Sequence, residues 1–199
     1  MVVSRRVCAD IADEVGLMGR AIATLQELTD LPLCIDSSIV EALAAGLAAY
    51  DGKALVNSVN CEGYMGKGIA LQFKKAFPED FKAYKRACQA GEVQPGRMFI
   101  FATGSMMNPR YVINFPTKRK WRTKSRMEDI QAGLTALVDE VSERGIASIA
   151  VPPLGCGLGG LNWRDVKPLI ERAFAELPQV RVLLFEPAGA HTRRKGASA

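Results

Sequence analysis

The sequence predicts an α/β fold of three layers, a mixed sheet with helices on both faces, preceded by an N-terminal helix and a βαβ unit. Two stretches carry the prediction. Ala54 to Asn60 (ALVNSVN) is a short apolar, β-branched run followed by Gly63, Gly66 and Gly68, and then by a helical pattern with Ile69, Leu71, Phe73 and Phe77 apolar. Ser148 to Leu154 (SIAVPPL) is a second such run, followed by Gly155-Cys156-Gly157-Leu158-Gly159-Gly160 and a helical pattern starting near Asn162. Strand, glycine loop and helix N-terminus together can bring backbone N–H groups onto phosphate. In a parallel sheet both loops stand at the carboxyl ends of strands, where ligands bind, and two facing loops can grip a diphosphate from both sides. The first loop has neither Walker A nor Gly-x-Gly-x-x-Gly spacing. Taken singly, each also meets the steric demand of a tight strand-to-helix turn.

In chain order, Ile11, Val15, Met18, Ile22 and Leu25 recur every three or four positions over residues 9–29, a helix stopped by Pro32. Leu33-Cys34-Ile35 is a short strand ending at Asp36-Ser37-Ser38, and Ser38 with Glu41 starts a helix over Ile39 to Tyr50. Asp51-Gly52 turns the chain into Ala54, completing a parallel, right-handed βαβ unit. Beyond the first glycine loop, Phe81 to Ala90 continues a helical region that ends at Gly91. Arg97 to Ala102 and Tyr111 to Phe115 read as strands, the second broken by Pro116. Ser125-Arg126-Met127-Glu128 has the pattern of a capping box, opening a helix with Ile130, Leu134, Leu137, Val138 and Val141 on one face and Gly145 at its end. A helix over Trp163 to Leu177 precedes the last strand, Val180 to Phe185. One domain over residues 1–188 is expected, with a small, basic, polar and disordered tail at 189–199.

Composition narrows the chemistry. The 199 residues carry a net charge of +5, which favours acidic partners. The single histidine, His191, lies in the polar tail, which removes histidine triads and histidine-based zinc sites. No metal site is expected. The five cysteines (Cys8, Cys34, Cys61, Cys88, Cys156) are scattered, without C-x-x-C spacing, and suit reduced cytoplasmic thiols better than a disulfide framework. No apolar run is long enough to span a membrane. Arg5-Arg6, followed by Asp10, Asp13 and Glu14, does not suit a signal peptide.

Four blocks in order, Asn57 to Asn60, Met65 to Lys74, Asn114 to Lys118 and Pro152 to Leu161, resemble the macrodomain family of ADP-ribose-binding folds over residues 54–187. Within it they are most similar to its DNA ADP-ribosyl glycohydrolase, antitoxin branch. The resemblance implies that Asp36, Asn57, Met65, Gly66, Lys67, Gly68, Ile69, Thr117, Pro153, Leu154, Gly155, Cys156, Gly157, Leu158, Gly159 and Phe185 bind ADP-ribose. It implies that Lys118 acts at the anomeric carbon of the distal ribose while Asn60 holds that sugar, without metal or cofactor. The implied partners are ADP-ribosylated DNA ahead of ADP-ribosylated protein, and a toxin encoded elsewhere. The protein-directed branch carries an aspartate just after the second glycine loop. Here that position is Gly159, which favours Lys118 acting without an aspartate partner and leaves Lys118 and Asn60 as the catalytic candidates. Residues 1–56 depart from the family, and residues 25–59 resemble a segment of pterin-binding methyltransferases, in which the equivalents of Asp36 and Asn57 touch pterin. A fusion junction near Asn57 is expected.

Lys118 opens a run, Lys118-Arg119-Lys120-Trp121-Arg122-Thr123-Lys124-Ser125-Arg126, with six cations in nine residues. Such a run is often only a solvated surface. Arg119, Lys120, Trp121, Arg122 and Lys124 also suit a nucleic-acid contact, cations for phosphates and an aromatic ring for a base. Crowding by Arg119 and Lys120, like any burial, should depress the Lys118 pKa and favour the neutral amine that a nucleophile or base requires. Asn57 and Asn60 can alternatively tie loop backbone together. Cys61 and Cys156, with no histidine to activate them, are expected to pack rather than react. Three functions follow: ADP-ribosyl hydrolase, non-catalytic ADP-ribose reader, and interaction protein with a non-functional pocket.

Overall fold

The computed structural model describes Arg20, residues 53–105 and residues 108–187. The expectations for the N-terminal helix, the first βαβ unit, Asp36 and the tail lie outside these residues. So does most of the pterin-like segment. Its one binding position within them, Asn57, is fully buried.

The described chain forms β1 (Ala54–Asn60), α1 (Gly68–Ala76), α2 (Pro78–Gln89), β2 (Phe99–Ala102), β3 (Tyr111–Lys118), α3 (Met127–Glu143), β4 (Ser148–Val151), α4 (Trp163–Phe174) and β5 (Arg181–Leu184). The sheet order is β2-β3-β1-β4-β5, with β2 antiparallel to β3 and the other pairings parallel. β1 is flanked on both sides and covered on both faces, which explains its near-continuous apolar run. Successive side chains point to opposite faces. Ala54 and Val56 meet α3 and α4 through Ile130, Leu134, Leu137, Val166 and Ile170. Leu55 faces Phe73 of α1, and Val59 faces Tyr84 and Ala87 of α2. Helices α3 and α4 on one face of the sheet and α1 and α2 on the other make the three expected layers. Gly133 sits where α3 crosses β3, and a Cβ there would run into the Phe115 ring.

Three local expectations are corrected. β3 continues through Pro116 to Lys118. Among the described residues its pairing with β2 ends at Asn114, so Pro116 occupies a stretch with one flank unpaired, where sheets accept proline. The helical region expected to continue through Phe81 is two helices, α1 ending at Ala76 and α2 starting at Pro78, where proline at the first helical position loses only an N–H that has no partner there anyway. The capping box at Ser125 does not form. The N-cap of α3 is Arg126 and no side chain caps it, because Ser125 lies against Gly155 and Gly159 of the second glycine loop. α4, by contrast, is capped by Asn162, whose side chain accepts from the Arg164 N–H at 3.0 Å.

A buried polar chain joins the sheet to α2. Asn57 and Asn114 are register partners on β1 and β3. Asn57 Nδ2 donates to Asn114 Oδ1 (3.0 Å), and Asn114 Nδ2 donates to Asp80 Oδ1 (2.6 Å). All three are fully buried. Burial pushes the Asp80 carboxyl up to about 6, against the opposing bond from Asn114. The folded-state value lies above the ordinary one. The stability this group supports is therefore complete below about pH 4 and is lost as the pH rises through 6, on the order of 3 kcal/mol for a shift of this size. Asp80→Asn retains an acceptor for Asn114 but does not ionise. Urea unfolding should show the variant more stable than wild type above pH 6.5 and equal to it near pH 4. Parallel curves across that range would disprove the assignment.

Candidate functional site

Because β1, β3, β4 and β5 run parallel, the loops that follow them meet at one edge of the sheet. The first, residues 61–67, is shaped by Asn60. Asn60 Oδ1 accepts from the N–H groups of Glu62 (2.9 Å) and Tyr64 (3.3 Å), and Nδ2 donates to Tyr64 O (2.6 Å). The Asn60 carbonyl accepts from Tyr84 Oη at 2.5 Å. The residue expected at the distal ribose thus organises the loop backbone. Gly68 opens α1 at φ +59°, and an added Cβ would lie 3.9 Å from Leu158 Cδ1 of the second glycine loop. The two loops therefore face one another. Lys67, the N-cap residue of α1, makes no capping bond, so the first N–H groups of that helix carry no side-chain cap.

The second glycine loop closes on itself and on Ser125. Leu161 N donates to Gly155 O and Ser125 N donates to Gly159 O, each at 3.0 Å. Gly155 has φ +71°, a conformation that favours glycine. Gly159 is required for a different reason: a Cβ there would come closer than 3.0 Å to both Gly155 O and Ser125 Oγ.

Lys118, the last residue of β3, reaches across to this loop. Its Nζ donates to Leu158 O at 2.5 Å. Its pKa is lowered, as expected, but the cause is burial rather than neighbouring cations. Arg119, one of those neighbours, is engaged elsewhere: its Nε and Nη2 hold Asp129 Oδ2 (3.1 Å) and Oδ1 (2.9 Å) at the start of α3. That bidentate pair makes Arg119 a tether of the loop. Lys120, Trp121, Arg122 and Lys124 are exposed, with Arg122 4.5 Å over the Trp121 ring.

The other expected ligand residues divide by exposure. Gly66, Lys67, Gly68, Gly157 and Leu158 are exposed at the edge, and Ile69, Pro153 and Cys156 are partly buried. Met65, Leu154 and Phe185 are core side chains, and Thr117 Oγ1 donates to Val59 O (3.3 Å) inside the sheet. Burial pushes the Cys61 and Cys156 thiols up to about 11, in keeping with packing roles. Cys61, Cys88 and Cys156 are free thiols. Among the described residues no acidic, histidine or cysteine cluster could hold a metal, and no helix is long and apolar enough to cross a membrane. Sequence reading missed Glu62, whose Oε2 accepts the Trp121 N–H (2.8 Å), and Tyr64, whose ring lies 6.0 Å from that of Trp121. An aromatic residue between Gly63 and Gly66 in a surface loop was the available signal.

Residues 56–170 match the family model described as Macro domain. The chain is similar to the DNA ADP-ribosyl glycohydrolase of Mycobacterium tuberculosis (strain ATCC 25618 / H37Rv), 52% identical over 143 residues, 72% of this chain and 41% of the relative. The chain thus spans about two-fifths of the length of that curated relative. Among solved structures it is similar to the macrodomain of Mycobacterium tuberculosis DarG, with a TM-score of 0.72 and 47% identity over 79% of this chain and 99% of the other. It is also similar to Thermosipho africanus DarTG in complex with ADP-ribose, with a TM-score of 0.64 and 34% identity over 71% and 39% of the two chains. Paired glycine loops at the carboxyl edge of a mixed five-stranded sheet, and sequence matches through both, agree: the chain belongs to the Macro domain family.

Proposed function

We propose that this chain binds ADP-ribose between its two glycine loops and removes it from modified DNA, cleaving the glycosidic bond at the distal ribose in the cytoplasm. The observation that carries the reading is the position of Lys118: a partly buried amine with a depressed pKa, held on Leu158 O between the loops. The resemblance to DNA ADP-ribosyl glycohydrolases supports the same reaction and substrate. A diphosphate gripped by the loops would orient the ribose, and a neutral Lys118 would serve as nucleophile or base at its anomeric carbon. The same Lys118–Leu158 bond favours a second reading, a reader in which Lys118 only braces the loop. A toxin partner is part of the first reading; in support, a Thermosipho africanus relative is named a DNA ADP-ribosyl transferase-DNA ADP-ribosyl glycohydrolase fusion protein.

Incubation with ADP-ribosylated DNA and, separately, ADP-ribosylated protein tests the proposal, with release from DNA the expected result. Binding of ADP-ribose without release from either would establish the reader. Unmodified DNA tests the basic run. Neutralising Lys120, Arg122 and Lys124 together should weaken binding and reduce the salt slope by about 2 to 3, roughly one for each phosphate left without its cation. Arg119 is left out because it holds Asp129. An unchanged slope would make the run a solvated surface.

A further inference from the structure

We infer that Tyr64 is a specificity-determining residue of the site, a stacking platform for an unpaired nucleobase beside the modified nucleotide; the inference rests on the proposed action on nucleic acid. Among the described residues only three large hydrophobic side chains are exposed: Tyr64 (57%), Trp121 (48%) and Leu158 (68%). They occupy the loops after β1, β3 and β4, all at the ligand edge. Large exposed rings gathered at one edge mark a contact surface rather than chance exposure.

The two rings are held in place by their backbones. The Tyr64 N–H and carbonyl are both bonded to the Asn60 side chain, and the Trp121 N–H is bonded to Glu62. Cys61 N donates to Arg119 O (3.3 Å), joining the two loops directly. The rings stand 6.0 Å apart and 53° from parallel, a wedge of two rings in tilted contact rather than a parallel stack. Arg122 lies over Trp121, while among the described residues no cation lies over Tyr64. Tyr64 is thus the ring with a face to offer, and Trp121 with its cation is the wall beside it.

The charge around the wedge identifies the occupant. Lys67, Lys120, Arg122 and Lys124 are exposed on the same two loops, so a polyanion carrying aromatic bases fits both its charge and its rings. Trp121 lies three residues beyond Lys118, so their Cα atoms are at most about 11 Å apart. A base joined to the sugar at Lys118, or its neighbour along the strand, can reach the wedge. A base inside a duplex is already stacked on both faces, so the platform favours single strands.

Tyr64→Ala should raise KM for an ADP-ribosylated single-stranded oligonucleotide about tenfold, with kcat and free ADP-ribose affinity little changed, and Tyr64→Phe should restore KM. An unmodified ten-nucleotide single strand should quench the fluorescence of exposed Trp121, a change absent in Trp121→Phe, where only buried Trp163 remains. An unchanged KM for the oligonucleotide in Tyr64→Ala would overturn the inference. So would an equal loss on ADP-ribosylated protein, which would make the rings a general or peptide contact. If wild type releases nothing from modified DNA, the proposed reaction fails separately, and the unmodified strand decides the platform. Weaker binding by Tyr64→Ala than by Tyr64→Phe supports it, and equal binding refutes it.

Discussion

Lys118→Ala is expected to lower ADP-ribose release by about a thousandfold or more while leaving ADP-ribose affinity within a few-fold. The glycine loops supply the binding, and the amine is used only as the bond breaks, so rate and affinity should separate. The bond from Nζ to Leu158 O complicates a simple deletion, because alanine also releases the second glycine loop. Lys118→Arg addresses this. Guanidinium can still donate to Leu158 O and still carries charge, but it stays protonated and cannot act as nucleophile or base. Arginine should therefore be as inactive as alanine. Recovery of activity with arginine would reduce Lys118 to a brace or a charge. Wild-type kcat should rise with pH and level off below the ordinary lysine value, since burial favours the neutral amine that reacts. A pH-independent rate would argue against that role.

Gly159→Ala should be the most damaging single-methyl change at the site. The new Cβ would overlap Gly155 O and Ser125 Oγ and would sit 2.8 Å from the Gly155 carbonyl carbon. The Gly155 carbonyl cannot move freely, because its oxygen accepts from Leu161, and the Ser125 N–H bond to Gly159 O holds the two backbones together. The expected cost is about 1–3 kcal/mol of stability, as for other overpacking changes, together with a tenfold or greater loss of ADP-ribose affinity as the loop is displaced. Gly157→Ala is the control for stability, since nothing lies within 4 Å of an added Cβ there. Gly159→Asp, which installs the residue of the protein-directed branch, should fail for the same steric reason and so should not create a lysine/aspartate pair. Calorimetry and thermal unfolding of the three variants check this. If Gly159→Ala binds like Gly157→Ala, the loop is not constrained as the packing requires.

Much of this site was legible in the chain itself. The glycine loops were visible because a strand entering a tight, helix-capping turn needs residues without side chains, and such residues are few enough to stand out. Lys118 was visible through the block Asn114 to Lys118, and the layers through the alternation of β1 and the spacing of Ile130, Leu134, Leu137 and Val141. The local misreadings have a common origin. Pro116 and Ser125 were assigned by what they do in isolated elements. Sheet pairing that ends at Asn114, and a glycine loop packed on Ser125, are contacts between residues distant in the sequence.

The sequence by itself determined the fold class, the two loops, the family and the catalytic candidate, because these depend on residue type and spacing along a few dozen residues. Only the tertiary structure decided what the polar and charged side chains are doing. Asn60 organises its own loop, Arg119 holds Asp129, Asn57 joins Asn114 and Asp80 in the core, and Tyr64 meets Trp121 at the rim. Apart from the Asn60 loop bonds, each of these pairs lies 10 to 57 residues apart along the chain or spans two of the loops that the parallel strands deliver to one edge. Hydrogen bonds and ring contacts act over a few ångströms, so such partners exist only once the sheet has brought its strand ends together.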